Sequence, residues 1–185
     1  MWQSRKRRNR KGNAIAEFGP ALWIFFILII IPLLDMASFL WGVGTVMLAA
    51  NLGVKQCAGA RTYSEAINLV NGTENDLATF RNFAILRPTG GGTRGVRLQV
   101  IGYPVTGSGG VTVYPPPPVA GRIPVDRQTL DNNMYEYQCI ASYDVQPLFN
   151  FNGLPMLGNI PGLGEPVPVS FTATATVEHP EGLND

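Results

Sequence analysis

Histidine, cysteine and charge are all scarce in this 185-residue chain. His179 is the only histidine, so a His-based nucleophilic triad or a multi-His zinc site would depend on one residue near the C-terminal end. There are two cysteines, Cys57 and Cys139, and no Cys-x-x-Cys pair. Charged residues make up 15% of the chain, against about 25% in an ordinary soluble domain. The carboxylates are scattered, and no pair stands out for acid–base work. The Gly-rich stretch Arg87-Pro88-Thr89-Gly90-Gly91-Gly92-Thr93-Arg94-Gly95 lacks the Gly-Lys-Ser/Thr ending of a phosphate loop, so it reads as a flexible loop. These absences leave no catalytic cluster, metal or cofactor to assign, and the chain reads as a non-enzyme.

The charge that is present is placed unevenly. Six of the 14 basic residues (Arg5, Lys6, Arg7, Arg8, Arg10, Lys11) precede residue 12, and all 13 acidic residues follow it. A nucleic-acid binder spreads its basic residues over a folded face, so this distribution argues against nucleic acid as a partner. The cluster is followed by Phe18–Leu34, which carries no charge and would span about 25 Å as a helix, close to the hydrocarbon thickness of a bilayer. Residues 36–54 carry no charge either, and Asp35 alone leaves no room for a hairpin. One long helix is expected, from about Ala14 to about Ala60, kinked near Pro32 where a backbone donor is lost. Its lower half belongs in lipid and its upper half outside. Lysine and arginine flanking a membrane helix stay on the cytoplasmic side, so a single-pass protein in the cytoplasmic membrane follows, with its N-terminus inside and residues 36–185 outside.

Three fates are open to such an N-terminus: removal as a secretory signal, retention as an uncleaved anchor, or cleavage ahead of the apolar run. A secretory signal has a shorter apolar core and an Ala-x-Ala-like site after it, whereas only weak small-residue sites follow here. Glu17 also lies between the basic region and the apolar run. A carboxylate there costs free energy on insertion, so another interaction is expected to retain it.

The stretch Lys11-Gly12-Asn13-Ala14-Ile15-Ala16-Glu17-Phe18 resembles the processing site of Tad-type pilins and pseudopilins, a Gly followed by four variable residues, Glu and an aromatic. Asn51-Leu52-Gly53-Val54-Lys55-Gln56-Cys57-Ala58-Gly59-Ala60-Arg61 is similar to the small-residue helix of the TadE/TadF-like minor pseudopilin family, and Val169–Glu178 resembles its alternating Thr/Ala strand. Ser142–Leu148 is like its strand with a Pro-Leu exit, and Pro20 departs from the pattern. The resemblance implies cleavage after Gly12 by a prepilin peptidase, with Asn13 as the new N-terminus. It also implies partners among other pilin subunits and the pilus assembly platform, in support of a Tad/Flp-type pilus or a related secretion filament. Gly12 would give the peptidase an unhindered backbone. The Glu17 carboxylate of one subunit would pair with the Asn13 ammonium of a neighbour and offset the cost of holding either charge at the edge of the apolar zone. The chain then divides into a basic leader (1–12), a transmembrane and small-residue helix (13–61) and an extracytoplasmic head (62–185). An uncleaved anchor carrying an extracytoplasmic binding domain is the other reading.

The expected fold is α+β: the long helix extends into a pilin-like head, with a small antiparallel sheet packed on its upper half. Gly42, Val46, Ala49, Gly53, Cys57 and Ala60 make one stripe of small residues at helical spacing, which lets another element approach closely. Above Ala49 the expected neighbour is the protein's own sheet, and below Gly44 it is another helix. Ser64 is a candidate helix cap, and Thr73-x-x-Asp76 reads as a capping box ahead of core residues Leu77, Phe80 and Ala84. Val96–Ile101, Val111–Tyr114, Tyr135–Val145 and Val167–Val177 read as strands. The last two alternate, with apolar residues on one face only, as in an antiparallel sheet covered on one side. Tyr114-Pro115-Pro116-Pro117-Pro118 reads as a stiff polyproline II connector. Cys57 on the helix stripe and Cys139 on the apolar strand face would meet if helix and strand pack together. A disulfide between them would contribute on the order of 4 kcal/mol. Two independent buried thiols are the alternative.

Overall fold

The computed structural model describes residues 11–91, 94–105, 110–114, 132–149 and 165–184. A continuous helix of about 70 Å opens the described residues. It consists of α1 (Lys11–Phe25), a π-helical segment (Phe26–Ile30) and α2 (Ile31–Ala58). The π turn sits immediately before Pro32. Proline offers no N–H to the preceding turn, and its ring crowds the carbonyl four residues back. Widening that turn, so that the Ile31 N–H reaches the Phe26 carbonyl, absorbs the misfit without ending the helix. Phe18–Ala58 is long and apolar enough to cross a membrane.

Two short helices follow, α3 (Tyr63–Asp76) and α4 (Ala78–Phe83). The cap of α3 is Thr62, whose Oγ1 accepts the Glu65 N–H at 3.2 Å. Glu65 Oε2 reaches back to the Arg61 N–H at 2.9 Å, closing a near-reciprocal box. The expected caps are thereby displaced. Ser64 is already inside α3, and Thr73 is a buried residue of its last turns, its hydroxyl donating to the Leu69 carbonyl and lying in hydrogen-bond contact with the Gln56 side-chain amide. After α4, Ile85 turns the chain at φ 51°, a left-handed conformation that a β-branched residue adopts only under constraint.

The strands β1 (Leu86–Pro88), β2 (Val96–Pro104), β3 (Thr112–Tyr114), β4 (Asn133–Val145) and β5 (Val167–Thr176) form one antiparallel sheet. The strand β4 is its spine. One edge of β4 carries β1 opposite Tyr143–Val145 and then β2 opposite Asn133–Ala141, while the other edge carries β5 from Glu136 to Val145. The strand β3 pairs with the far side of β2. The strand β1 takes up Arg87 and Pro88, the first residues of the stretch read as a flexible loop.

Alternation decides which face is buried. Tyr135, Tyr137, Cys139, Ala141, Tyr143 and Val145 all point to the core, and the intervening β4 residues are half-buried or exposed. Val96, Leu98 and Val100 of β2 join them. The helix α2 lies across β4 and β5, and α3 covers β2, so helices cover one side of the sheet. The other side is polar apart from Ile101 and Ile140, with a Ser142–Ser170 hydroxyl contact at 2.9 Å and a Gln99–Gln138 side-chain hydrogen bond. The architecture is therefore α+β, a long apolar helix followed by an antiparallel sheet packed on its upper part. Residues 115–118, expected as a polyproline segment, lie outside the described residues.

Candidate functional site: the long helix and its contacts

Gly12, Asn13 and Glu17 all fall within α1, and nothing of their side chains is described. From Phe18 to Leu34 the helix touches little else among the described residues. Trp23, Phe18, Leu28 and Leu33 are each more than 60% exposed, which for apolar side chains calls for a non-aqueous surround.

Burial begins abruptly at Asp35, which is fully enclosed. Its Oδ1 accepts the backbone N–H groups of Leu148 (2.6 Å) and Phe149 (3.4 Å), tying the segment after β4 to the helix 113 residues earlier. Oδ2 has no hydrogen-bond partner among the described residues. Asp35 closes the apolar run in the sequence, but its role as a latch was not read there. The signal was present, since Asp35 precedes Gly42 by two helical turns and so continues the small-residue stripe downward.

From Gly42 to Gly53 the stripe meets the sheet. A Cβ on Gly42 would lie 2.7 Å from Val145 Cγ1, and one on Gly53 would lie 2.7 Å from Cys139 Sγ. Val46, Ala49 and Cys57 are buried in the same core. The helix–helix contact expected below Gly44 is therefore corrected at Gly42: the neighbour is the protein's own β4, because the latch at Asp35 holds the end of that strand against the helix.

Cys57 and Cys139 are both buried free thiols. Cys57 Sγ turns toward α3 and donates to the Ala66 carbonyl at 3.2 Å, while Cys139 Sγ fills the gap left by Gly53, one turn earlier on the helix. Helix and strand do pack as expected, but the sulfur atoms face different neighbours. Burial pushes the Cys139 thiol up to about 12, so it stays protonated and unreactive at neutral pH.

A second buried carboxylate organises the far side of the core. Glu74 Oε1 accepts from the Tyr143 hydroxyl (3.0 Å), the Gly95 N–H (3.0 Å) and Arg81 Nη1 (3.3 Å), joining α3, α4, β4 and the start of β2. Gly95 has to be glycine here, since a Cβ would fall within 2.6 Å of three Tyr143 ring atoms. Burial and the Glu74 charge push the Tyr143 hydroxyl upward, keeping it a donor. Tyr63 stacks on Tyr137 with ring centroids 6.5 Å apart.

Of the three core contacts expected around α4, Leu77 and Ala84 are buried, but Phe80 is 45% exposed. It lines an apolar groove with Phe83, Trp41, Leu34, Ala37 and Leu148. Trp41 and Phe83 meet edge to face at 5.8 Å across it. Among the described residues no three His, Cys, Asp or Glu side chains converge as a metal site. In comparisons with known proteins, no family model, curated protein or solved structure matches the chain.

Proposed function

We propose that this chain is a minor pseudopilin of the TadE-like kind, inserted in the cytoplasmic membrane and trimmed after Gly12 by a prepilin peptidase. It would support assembly of a Tad/Flp-type pilus or a related secretion filament. The observation that carries the reading is the division of labour along one helix. Its lower part, preceded by a basic leader and the Gly12-x4-Glu17 spacing, exposes apolar side chains to its surroundings. Its upper part serves as the backbone of a β-sheet head. In this reading the head faces outward, the Asn13 ammonium and the Glu17 carboxylate pair between neighbouring subunits, and the chain performs no chemistry of its own.

N-terminal sequencing and intact mass of the membrane-extracted protein test this. Asn13 is expected as the first residue, dependent on the peptidase, and Glu17→Ala is expected to leave cleavage intact while hindering incorporation into a filament. A protein that keeps Met1 or Trp2 is instead an uncleaved bitopic anchor for an extracytoplasmic domain. That second reading draws on the small-residue stripe, which β4 and β5 of the same chain already occupy.

A further inference from the structure

The latch at Asp35 has a consequence for where the membrane surface falls. Because this carboxylate is enclosed, it does not interrupt the apolar surface of the helix. Met36, Leu40, Trp41, Met47 and Leu48 continue the exposed apolar face, and the first exposed charge on the helix after Glu17 is Lys55. A hydrocarbon layer of about 30 Å corresponds to roughly 20 helical residues. Counted from Phe18, the first residue past Glu17, that layer ends near Ala37. Trp41 then stands about 6 Å higher, at the level of the headgroups, where tryptophan is enriched in membrane proteins.

The groove between α2 and α4 opens at this level. Leu34, Ala37 and Trp41 line it from α2, Phe80 and Phe83 from α4, and Leu148 from the latched loop. Its volume is about 680 Å³. Phe83 is 72% exposed, and the one cation of α4, Arg81, is directed to Glu74. In water this would be an unfavourable exposed aromatic cluster. At the acyl–headgroup boundary it is a favourable one.

We propose that this groove seats the head on the outer leaflet of the bilayer that its own helix crosses, with acyl chains of that leaflet filling it. The head is thus held at the surface by two contacts, the spanning helix and the aromatic face of α4 with the Leu148 loop. The inference rests on the membrane reading of the helix and is independent of cleavage after Gly12.

Depth-dependent fluorescence quenching tests it, using the full chain in phosphatidylcholine proteoliposomes brominated at shallow or deep acyl positions. One protein keeps Trp23 alone, with the other tryptophans changed to phenylalanine. A second carries Phe83→Trp as its only tryptophan, and a third keeps Trp41 alone, which covers any misfolding of the second. Trp23 is expected to be quenched best by deep bromines. The tryptophan of the Phe83→Trp protein and Trp41 are expected to be quenched best by shallow bromines, with blue-shifted emission. Emission from the Phe83→Trp protein that is red-shifted and unaffected by bromine, while Trp23 is quenched, overturns the seat and leaves the span intact. An unquenched Trp23 overturns the span and the seat together. Crosslinking of Phe83→Cys to a second copy, with no bromine quenching at the groove, would make this face a contact between copies and also overturns the proposal.

Discussion

Three residues of the long helix are chosen by what faces them rather than by helical preference. Asp35 is a poor choice for an apolar helix, yet its Oδ1 accepts two backbone amides of the segment that follows β4. Asp35→Ala is expected to cost about 1–3 kcal/mol, through loss of the hydrogen bonds this enclosed carboxylate accepts, and to speed amide exchange at Leu148; Asp35→Asn, which keeps one oxygen, is expected to cost less. Denaturation in detergent with hydrogen-exchange mass spectrometry reads both effects. Gly53 is glycine because Cys139 Sγ occupies the place of its side chain. Gly53→Ala should destabilise by about 1–3 kcal/mol through overpacking. Adding Cys139→Ala removes the colliding atom, so the double variant should be more stable than the sum of the two single losses indicates. A double-mutant cycle showing simple additivity would contradict the contact. Gly42 faces Val145 in the same way, so the stripe is spent on the sheet from Gly42 to Gly53.

The same logic governs the elements. The buried face of β4 brings together two kinds of protonated acid, the Cys139 thiol and the hydroxyls of Tyr135, Tyr137 and Tyr143, and Tyr63 packs opposite. Burial raises Cys139 from 9.0 to about 12 and Tyr63 from 10.0 to about 12. Each group ionises first in the unfolded chain, so unfolding releases protons above pH 9. The stabilisation is complete below pH 9 and is lost as the pH climbs toward 12. Cys57 is raised from 9.0 to about 12 in the same way, so urea midpoints measured from pH 7 to 11 are expected to stay level and then fall, with the onset moved from about 9 to about 10 only in the Cys57→Ala/Cys139→Ala double variant, which leaves the tyrosines to titrate. The free-thiol state has its own check: alkylation under denaturing, non-reducing conditions should add two adducts, and none would indicate a disulfide. At the sheet's edge, β5 has Pro168, which cannot donate to a further strand, and an outward row of Ser170, Thr172, Thr174 and Thr176. These features give the open edge little apolar surface for unwanted pairing.

At the scale of the whole molecule, burial separates the long helix into two parts that meet at Asp35. Because residues 18–34 contribute almost nothing to the core, a chain beginning near Ile31 should keep cooperative unfolding and the head's circular dichroism, whereas one beginning near Val46 should lose both; thermal melts of the two fragments decide this. Much of this layout was legible in the residues alone. The uncharged run, the basic cluster and the 3.6-residue stripe announced one long apolar helix with a closely approached face, and the period-2 patterns of Tyr135–Val145 and Val167–Val177 announced the sheet, because burial imposes its periodicity directly on residue type. Local chemistry that several residues could satisfy was misread. Ser64 and Thr73 look as much like helix caps as Thr62 does, and only the fold selects among them. Partnership across the chain was beyond reach for a plain reason. A sequence records that a side chain is small, acidic or sulfur-bearing, but not which distant atom stands opposite it. So the sequence by itself determined the apolar helix, the strand faces and the uneven charge. The tertiary structure alone decided that Asp35 bonds Leu148 and Phe149, that Gly42 belongs to Val145, that the two thiols turn toward different neighbours, and that Phe80 and Phe83 join Trp41 in a groove. Each of these depends on long-range packing, which follows from how the whole chain closes and not from any local stretch of it.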